Sequence, residues 1–408
     1  MGSKGFDDEG TGMKITSIEV VPFEVPAPRI FFGAPLVDHK IVQTVTRIGT
    51  DEEVEGYYFG GHFHGDQDGL LPGDRALIAE FLGPILAGND PFDRERIWQQ
   101  PWAATLPENV CSVIDLALWD LAGRALKLPV HKLLGAARER VEAYASSFNN
   151  LGTPDDYAVH AVACQRAGYC AYKIHPYFAW DPVTRQPTLP KPATVDADLE
   201  VCRAVRNAVG DDMVLMFDPW GAYNYAEALR VGRELERLGF YWYEHPMSEY
   251  QTESYVGLAA ELDIPICSPE IAEGSIYTRA NWIARHASDI NRIEVLRGGI
   301  TGAMKMAATC EAFGLRCELH MSGFGNLQVL GATSEDVCEY YERGLVGPGV
   351  DYDAPPPYLR AACDPLDADG YVTIPSAPGL GYTIQWDYIE DHRLPETAVE
   401  AVAPLHSR

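Results

Sequence analysis

The chain is short of positive charge. Its 32 lysines and arginines stand against 59 acids, a formal net charge of −27 over 408 residues. Proteins that bind nucleic acid or an anionic membrane surface concentrate basic side chains in stripes, so neither partner is expected. Long apolar runs are missing too. No stretch reaches the ~20 residues of a membrane span, and the N-terminus shows no signal-peptide core. The nine cysteines are odd in number and form no Cys-x-x-Cys pair. Cys111, Cys202, Cys267, Cys310 and Cys317 lie inside apolar runs, where free cysteine behaves as a small core residue. A reducing, cytoplasmic setting is expected rather than a disulfide framework. Short tandem repeats are absent.

What the chain does have is apolar content, 47% of its residues, enough for a sizeable core and for two domains or a barrel with an appended unit. Residues 1–12 are polar and Gly-rich and read as a flexible leader. Residues 13–140 read as strands followed by helices, an α+β capping unit. Strands are expected near 14–23 and 40–48 and helices near 73–86 and 107–126. The loop Gly60-Gly61-His62-Phe63-His64-Gly65 has the composition of a mobile flap. From Val141 strand and helix alternate, which signals a parallel sheet. Eight strands are predicted, at 141–146, 170–175, 214–218, 240–244, 265–270, 290–295, 316–320 and 337–341. Eight βα units over 141–369 favour a closed α/β barrel of the TIM type over an open sheet. A Pro-rich insertion at 178–192 lengthens the loop after the second strand, and long loops in compact domains are often functional. The tail, about 370–408, offers one more strand at 371–374 and is expected to complete the capping unit.

Three acids recur at equal intervals of 26 residues: Asp218, Glu244 and Glu270. Each follows a short apolar run, so three carboxylates reach the carboxyl rim, where such barrels carry out chemistry. An all-oxygen cluster suits a hard cation such as Mg²⁺; the plainer alternative is that each acid caps the next helix. In the predicted strand Tyr172-Lys173-Ile174-His175, residues two apart share a face, so Lys173 and His175 both point into the mouth. A lysine there can hold a substrate carboxylate and a histidine can move a proton near neutral pH, unless the lysine simply pairs with an acid and the histidine is core. His320 ends the run Arg316-Cys317-Glu318-Leu319 and faces the acids from the far side, or is structural.

Other stretches carry a resemblance. The run from Ile114 through Asp115, Trp119 and Asp120 to Gly123, continuing in Leu128-Pro129-Val130 and Leu133-Leu134-Gly135, resembles a signature of the mandelate racemase/muconate-lactonising branch of the enolase superfamily. So do Gly298-Gly299-Ile300-Thr301-Gly302 and Pro378-Gly379-Leu380-Gly381. The resemblance spans roughly 13–390. It implies a modified (β/α) barrel under an N-terminal α+β cap, a homo-oligomer, and Mg²⁺ held by Asp218, Glu244 and Glu270 with a substrate carboxylate on the metal. It also implies that Lys173 contacts that carboxylate, that His175 replaces a second, basic lysine, and that His320 is the histidine of a His-Asp dyad. Glu339 falls near the acid of the eighth strand, with Glu342 as its rival. Three positions depart from the pattern. Counting back from Gly298, the dyad aspartate falls on Ile293, with Glu294 next to it and expected to point away unless a bulge re-aims it. Trp220 stands where asparagine is usual, and His245 follows Glu244.

The activity implied is removal of the proton α to a carboxylate, for which a Lys or His base with Mg²⁺ is a known superfamily pattern. Two basic candidates on opposite flanks suit dehydration of a sugar acid, an aldonate or aldarate, to a 2-keto-3-deoxy acid. Racemisation or epimerisation, lactonising cycloisomerisation, and an inactive metal-binding barrel are the other readings. Arg29, His62 and His64 are candidates to bind a polyol chain.

Overall fold

The computed structural model describes residues 12–26, 29–31, 34–36, 40–62, 69–176 and 194–395. The alternating segment Ile15–Pro26 (β1) pairs antiparallel with Lys40–Thr50 (β2), placing Ile18 opposite Ile48 and Phe23 opposite Gln43. Glu55–Phe59 (β3) completes a three-stranded sheet in the order β1-β2-β3. Helix Arg94–Ala103 (α1) follows, and then Glu108–Leu126 (α2), which is buried on all sides from Val110 to Gly123. A helix apolar all round needs partners on every face, and its acids show what those partners are. Asp115 accepts from the backbone and hydroxyl of Thr301, at 3.0 and 2.6 Å, in the barrel. Asp120 accepts from Tyr57 N in the cap sheet at 2.8 Å and from Leu380 N at 2.7 Å. Trp98 Nε1 on α1 donates to Gly298 O at 2.7 Å. Glycine is required where these acids approach the backbone. A Cβ on Gly299 (φ +70°) would lie 2.1 Å from Asp115 Oδ2, and one on Gly379 (φ +77°) 2.2 Å from Asp120 Oδ1. The motif residues are thus the lock between cap and barrel.

The barrel strands are Arg140–Ser147 (β4), Ala171–Ile174 (β5), Val214–Phe217 (β6), Trp242–Glu244 (β7), Ile266–Cys267 (β8), Ile290–Ile293 (β9), Arg316–Leu319 (β10) and Tyr341–Val346 (β11). They run parallel in the spatial order β10-β9-β8-β7-β6-β5-β4-β11. Next to the β10–β11 seam, Cys317 N bonds Val337 O at 2.8 Å. The connecting helices are Pro154–Arg166 (α3), Val195–Val209 (α4), Tyr225–Arg237 (α5), Thr252–Glu261 (α6), Ser275–Ala284 (α7), Gly299–Phe313 (α8) and Phe324–Ala332 (α9). Their starts are legible chemistry: Thr153 with Asp156 and Asn224 with Glu227 form capping boxes, and Thr194 caps α4. No helix among the described residues is long and apolar enough to cross a membrane.

Side chains alternate between two layers, as period two requires. Tyr172, Ile174, Phe217, Tyr243, Ile266 and Ile293 belong to the outer core under the helices. Tyr144, Ala171, Met216, Trp242, Ile290 and Tyr340 form a separate interior plug, in which Trp242 meets Tyr144 edge-on at 5.5 Å. Continuing each inward stripe by two residues reaches Ser146, Lys173, Asp218, Glu244, Arg292 and Glu342: an apolar floor beneath a charged mouth.

Two predicted strands are placed differently. The last barrel strand is Tyr341–Val346, not 337–341, because the inward alternation runs through Tyr340 and Glu342 and the residues before it lead up to the seam. Strand Tyr371–Thr373 (β12) pairs with β4 of the barrel, and the chain reaches the cap later, where Leu394 N bonds Pro22 O and Glu24 N bonds His392 O.

Candidate active site

The carboxyl ends of the strands gather the acids. Asp218 comes directly after β6, Glu244 ends β7, and Glu270 stands three residues past β8; all three are buried. Ligand atoms of Asp218, His245 and Glu270 lie within 4.8 Å of one another. His245 joins them because its backbone is left-handed (φ 40°), and its Nδ1 sits 2.6 Å from Glu270 Oε2. Glu244 is adjacent but turned toward two cations, Arg292 Nε at 2.7 Å and Lys173 Nζ at 3.0 Å, and accepts from Trp242 Nε1 at 3.1 Å. The evenly spaced acids therefore do share one mouth, and a histidine that the spacing did not single out stands between two of them. Trp220, also left-handed (φ 51°), contributes its backbone N–H to Asp218 Oδ1 at 2.9 Å.

Lys173 and His175 enter from β5 as the alternation demands. Lys173 Nζ bridges Glu342 at 2.8 Å, Glu244 at 3.0 Å and Asp218 at 3.6 Å. His175 Nδ1 lies 2.7 Å from Ser147 O and its Nε2 2.9 Å from Asp218 Oδ2. On the other flank His320 places Nε2 2.9 Å from Glu270 Oε1 and Nδ1 3.4 Å from Glu294 Oε2. Glu294 is thus the acid beside His320, with no bulge needed. Ile290, Arg292 and Glu294 share the inward stripe, while Ile293 packs in the outer core; the count back from Gly298 missed by one residue.

The eighth-strand acid is corrected as well. Glu339 bonds Tyr241 and pairs with Arg316 at 2.6 Å, at the amino-terminal ends of β7 and β10, away from the acid cluster. Glu342 occupies the mouth, pairing with Lys173 and Arg292 and accepting from Ser146 Oγ at 2.7 Å and Met321 N at 2.6 Å. Arg292 escaped the sequence reading altogether. Its signal was a charge in the middle of the short strand Ile290-Asn291-Arg292-Ile293. His64, with the flap residues 63–65, and the insertion 178–192 lie outside the described residues, as does the Arg29 side chain.

Burial penalises every charge here, so the shifts report which partners overcome it. Glu342 is held well below the carboxylate range by Lys173 and Arg292, against burial. Glu270 is likewise held well below it, against burial, by His320 and His245, and Asp218 is lowered despite burial and Glu270, chiefly by His175. Burial wins at Glu244, which is raised although Arg292 and Lys173 oppose it. Lys173 is raised, the acids around it outweighing burial. His320 is held up to about 10 by Glu270 and Glu294, and His245 to about 9 by Glu249 and Glu270, each against burial.

Five carboxylates (Asp218, Glu244, Glu270, Glu294, Glu342) thus face two permanent cations, Lys173 and Arg292. Protonated His245 and His320 offset two of the three surplus negative charges; with both imidazoles neutral, as a metal ligand or a base requires, the full surplus of three remains in a buried site. Such a surplus persists only where positive charge is supplied, and a divalent cation between Asp218 and Glu270 fits that donor set.

The chain belongs to the enolase superfamily, in its mandelate racemase/muconate-lactonising branch. Residues 156–388 match the enolase C-terminal domain-like family and 41–135 the mandelate racemase/muconate lactonizing enzyme N-terminal domain. Among similar proteins are the D-galactarolactone cycloisomerase of Agrobacterium fabrum, 28% identical over 94% of this chain and 100% of that one, and the arabinonate dehydratase of Saccharolobus solfataricus, 27% identical over 88% and 92%. A solved structure of D-glucarate dehydratase from Agrobacterium tumefaciens complexed with magnesium is 38% identical, with a TM-score of 0.84 over 93% of this chain and 99% of that one.

Proposed function

We propose that this protein is a Mg²⁺-dependent hydro-lyase that dehydrates a sugar acid, an aldonate or aldarate, to a 2-keto-3-deoxy acid. The observation that carries the reading is the pair of histidines flanking the acids, His175 on Asp218 and His320 on Glu270. Asp218 and Glu270 would hold the cation, with Glu244 and His245 beside them. When bound, it stabilises the negative charge that develops on the substrate carboxylate as the α-proton leaves.

The chain's own groups do the rest. Lys173 stays charged at the mouth and attracts the carboxylate end of the substrate. His175 is oriented by Ser147 O at Nδ1, which leaves Nε2 as the nitrogen aimed at the site. His320 is backed by Glu294, which stabilises its imidazolium form. One imidazole takes the α-proton; the other protonates the β-hydroxyl as its C–O bond breaks, and water departs. The resulting enol tautomerises to the 2-keto acid. The kinship with dehydratases acting on arabinonate and glucarate supports this class of substrate.

The full-length likeness to a galactarolactone cycloisomerase favours a second reading. An aldarate lactone keeps one free carboxylate, and the carbon β to it bears the ring oxygen; removal of the α-proton breaks that C–O bond, and the ring oxygen leaves as part of the other carboxylate. The experiment is to incubate the protein and Mg²⁺ in D₂O with panels of aldonates, aldarates and their lactones, following ¹H NMR and 2-keto-acid formation. A 2-keto acid from an open-chain acid is expected. Product from lactones alone would establish the second reading, and neither product nor deuterium exchange with any compound would sink both.

A further inference from the structure

Glu270 differs from its two companions in how its backbone is held. Asp218 comes straight from β6 and Glu244 is part of β7, whereas β8 stops at Cys267, three residues short of Glu270. A segment that has left its sheet still has peptide groups to satisfy when it is buried. Two charged side chains take them. The carboxylate of Glu249, in the loop after β7, accepts from the N–H groups of Glu270, Ile271 (2.8 Å) and Ala272 (2.7 Å). The guanidinium of Arg279, on α7, donates to the carbonyls of Ala272, Glu270 (3.0 Å) and Pro269 (3.3 Å). Glu249 is 5% exposed and Arg279 1%, so these are charge-assisted bonds in a dry setting, stronger than bonds between neutral groups.

We propose that Glu249 and Arg279 are positioning residues for the cation site, gripping residues 269–272 from opposite sides and fixing the Glu270 carboxylate between His245 and His320. The inference rests on the metal-dependent reading above. Neither residue touches substrate; Arg279 acts through Glu270, and Glu249 acts through Glu270 and through its charge on His245. Outer partners that orient a ligand typically change metal affinity 10–100-fold when removed.

The test measures the Mg²⁺ dissociation constant by calorimetry, with circular dichroism and melting temperature on the same samples. Glu249→Gln leaves one acceptor oxygen where there were two and is expected to weaken Mg²⁺ about tenfold or more. Asp289→Asn is the control, since Asp289 accepts from Ile266 N at 2.9 Å and so grips the start of the same strand. It is expected to lower the melting temperature while leaving the dissociation constant within twofold. Arg279→Lys keeps the charge but loses the fork, and it serves as the second variant should Glu249→Gln fail to fold; a five- to tenfold weakening is expected. Mg²⁺ binding within twofold of wild type in folded Glu249→Gln or Arg279→Lys overturns the proposal while the functional reading stands. A wild-type protein that binds no divalent cation overturns both.

Discussion

His320 Nδ1 lies 3.4 Å from Glu294 Oε2, across the ends of two neighbouring barrel strands. The contact makes a glutamate, one position later than the aspartate count expects, the orienting acid of the histidine. Removing its charge should cost turnover without touching the cation. Glu294→Gln is expected to lower kcat about 10–100-fold with Mg²⁺ affinity within twofold of wild type. His320→Asn is expected to go further, abolishing α-proton exchange or elimination while sparing metal binding. Unchanged turnover in His320→Asn would make the residue structural.

How far the sequence carries is visible in these same residues. Asp218 is legible from the repeated interval of 26 residues after short apolar runs, and Lys173 and His175 because residues two apart in a strand share a face, an arithmetic that holds over a few residues. The count back from Gly298, which presumes a fixed loop length, lands on Ile293 and passes over Glu294 by one residue. Alternation from Ile290 and Arg292 gives the right answer. The apolar run Val337-Cys338 reads as strand and favours Glu339 over Glu342, whereas the strand begins at Tyr341. His245 stands out in the sequence only as the residue after Glu244, and for a subtler reason its place among the acids does not. Its position in the cluster depends on a left-handed backbone at a non-glycine residue, which no periodicity announces.

The parts that Glu244 and His245 play at the cation separate by metal titration. Glu244→Gln removes a negative charge and leaves Lys173 and Arg292 less compensated beside the cation, so Mg²⁺ affinity is expected to fall at least tenfold. His245→Asn removes a nitrogen, a donor that suits later first-row metals better than Mg²⁺. Its Co²⁺ affinity is therefore expected to fall more than its Mg²⁺ affinity. An unchanged Co²⁺-to-Mg²⁺ ratio would exclude His245 from the coordination shell.

The two candidate acids of the eighth strand make opposite predictions. Glu342 is buried between Lys173 and Arg292, and breaking a buried ion pair by removing one partner typically costs about 3–5 kcal/mol. Glu342→Gln should lose that order of stability in urea unfolding, together with most activity. Glu339 pairs with the half-exposed Arg316, and Glu339→Gln should cost about 1 kcal/mol or less and leave kcat within twofold. Equal effects of the two substitutions would undo the assignment.

His160 supplies a pH signature away from the site. Its ring is buried, with Nδ1 2.8 Å from the Tyr172 hydroxyl, and burial holds its pKa down to about 4. In the unfolded chain it titrates near 6.5, so between these values the unfolded state binds a proton that the folded state refuses. The stability tied to neutral His160 is therefore present above pH 6.5 and is lost progressively as the pH falls toward 4. Going from pH 7 to 5.5 should cost the wild type about 1 kcal/mol through this group. His160→Gln cannot titrate but can still bond Tyr172, so its unfolding free energy should fall by that much less over the same interval. Parallel pH slopes for wild type and variant in urea unfolding would show that the imidazole is not held neutral.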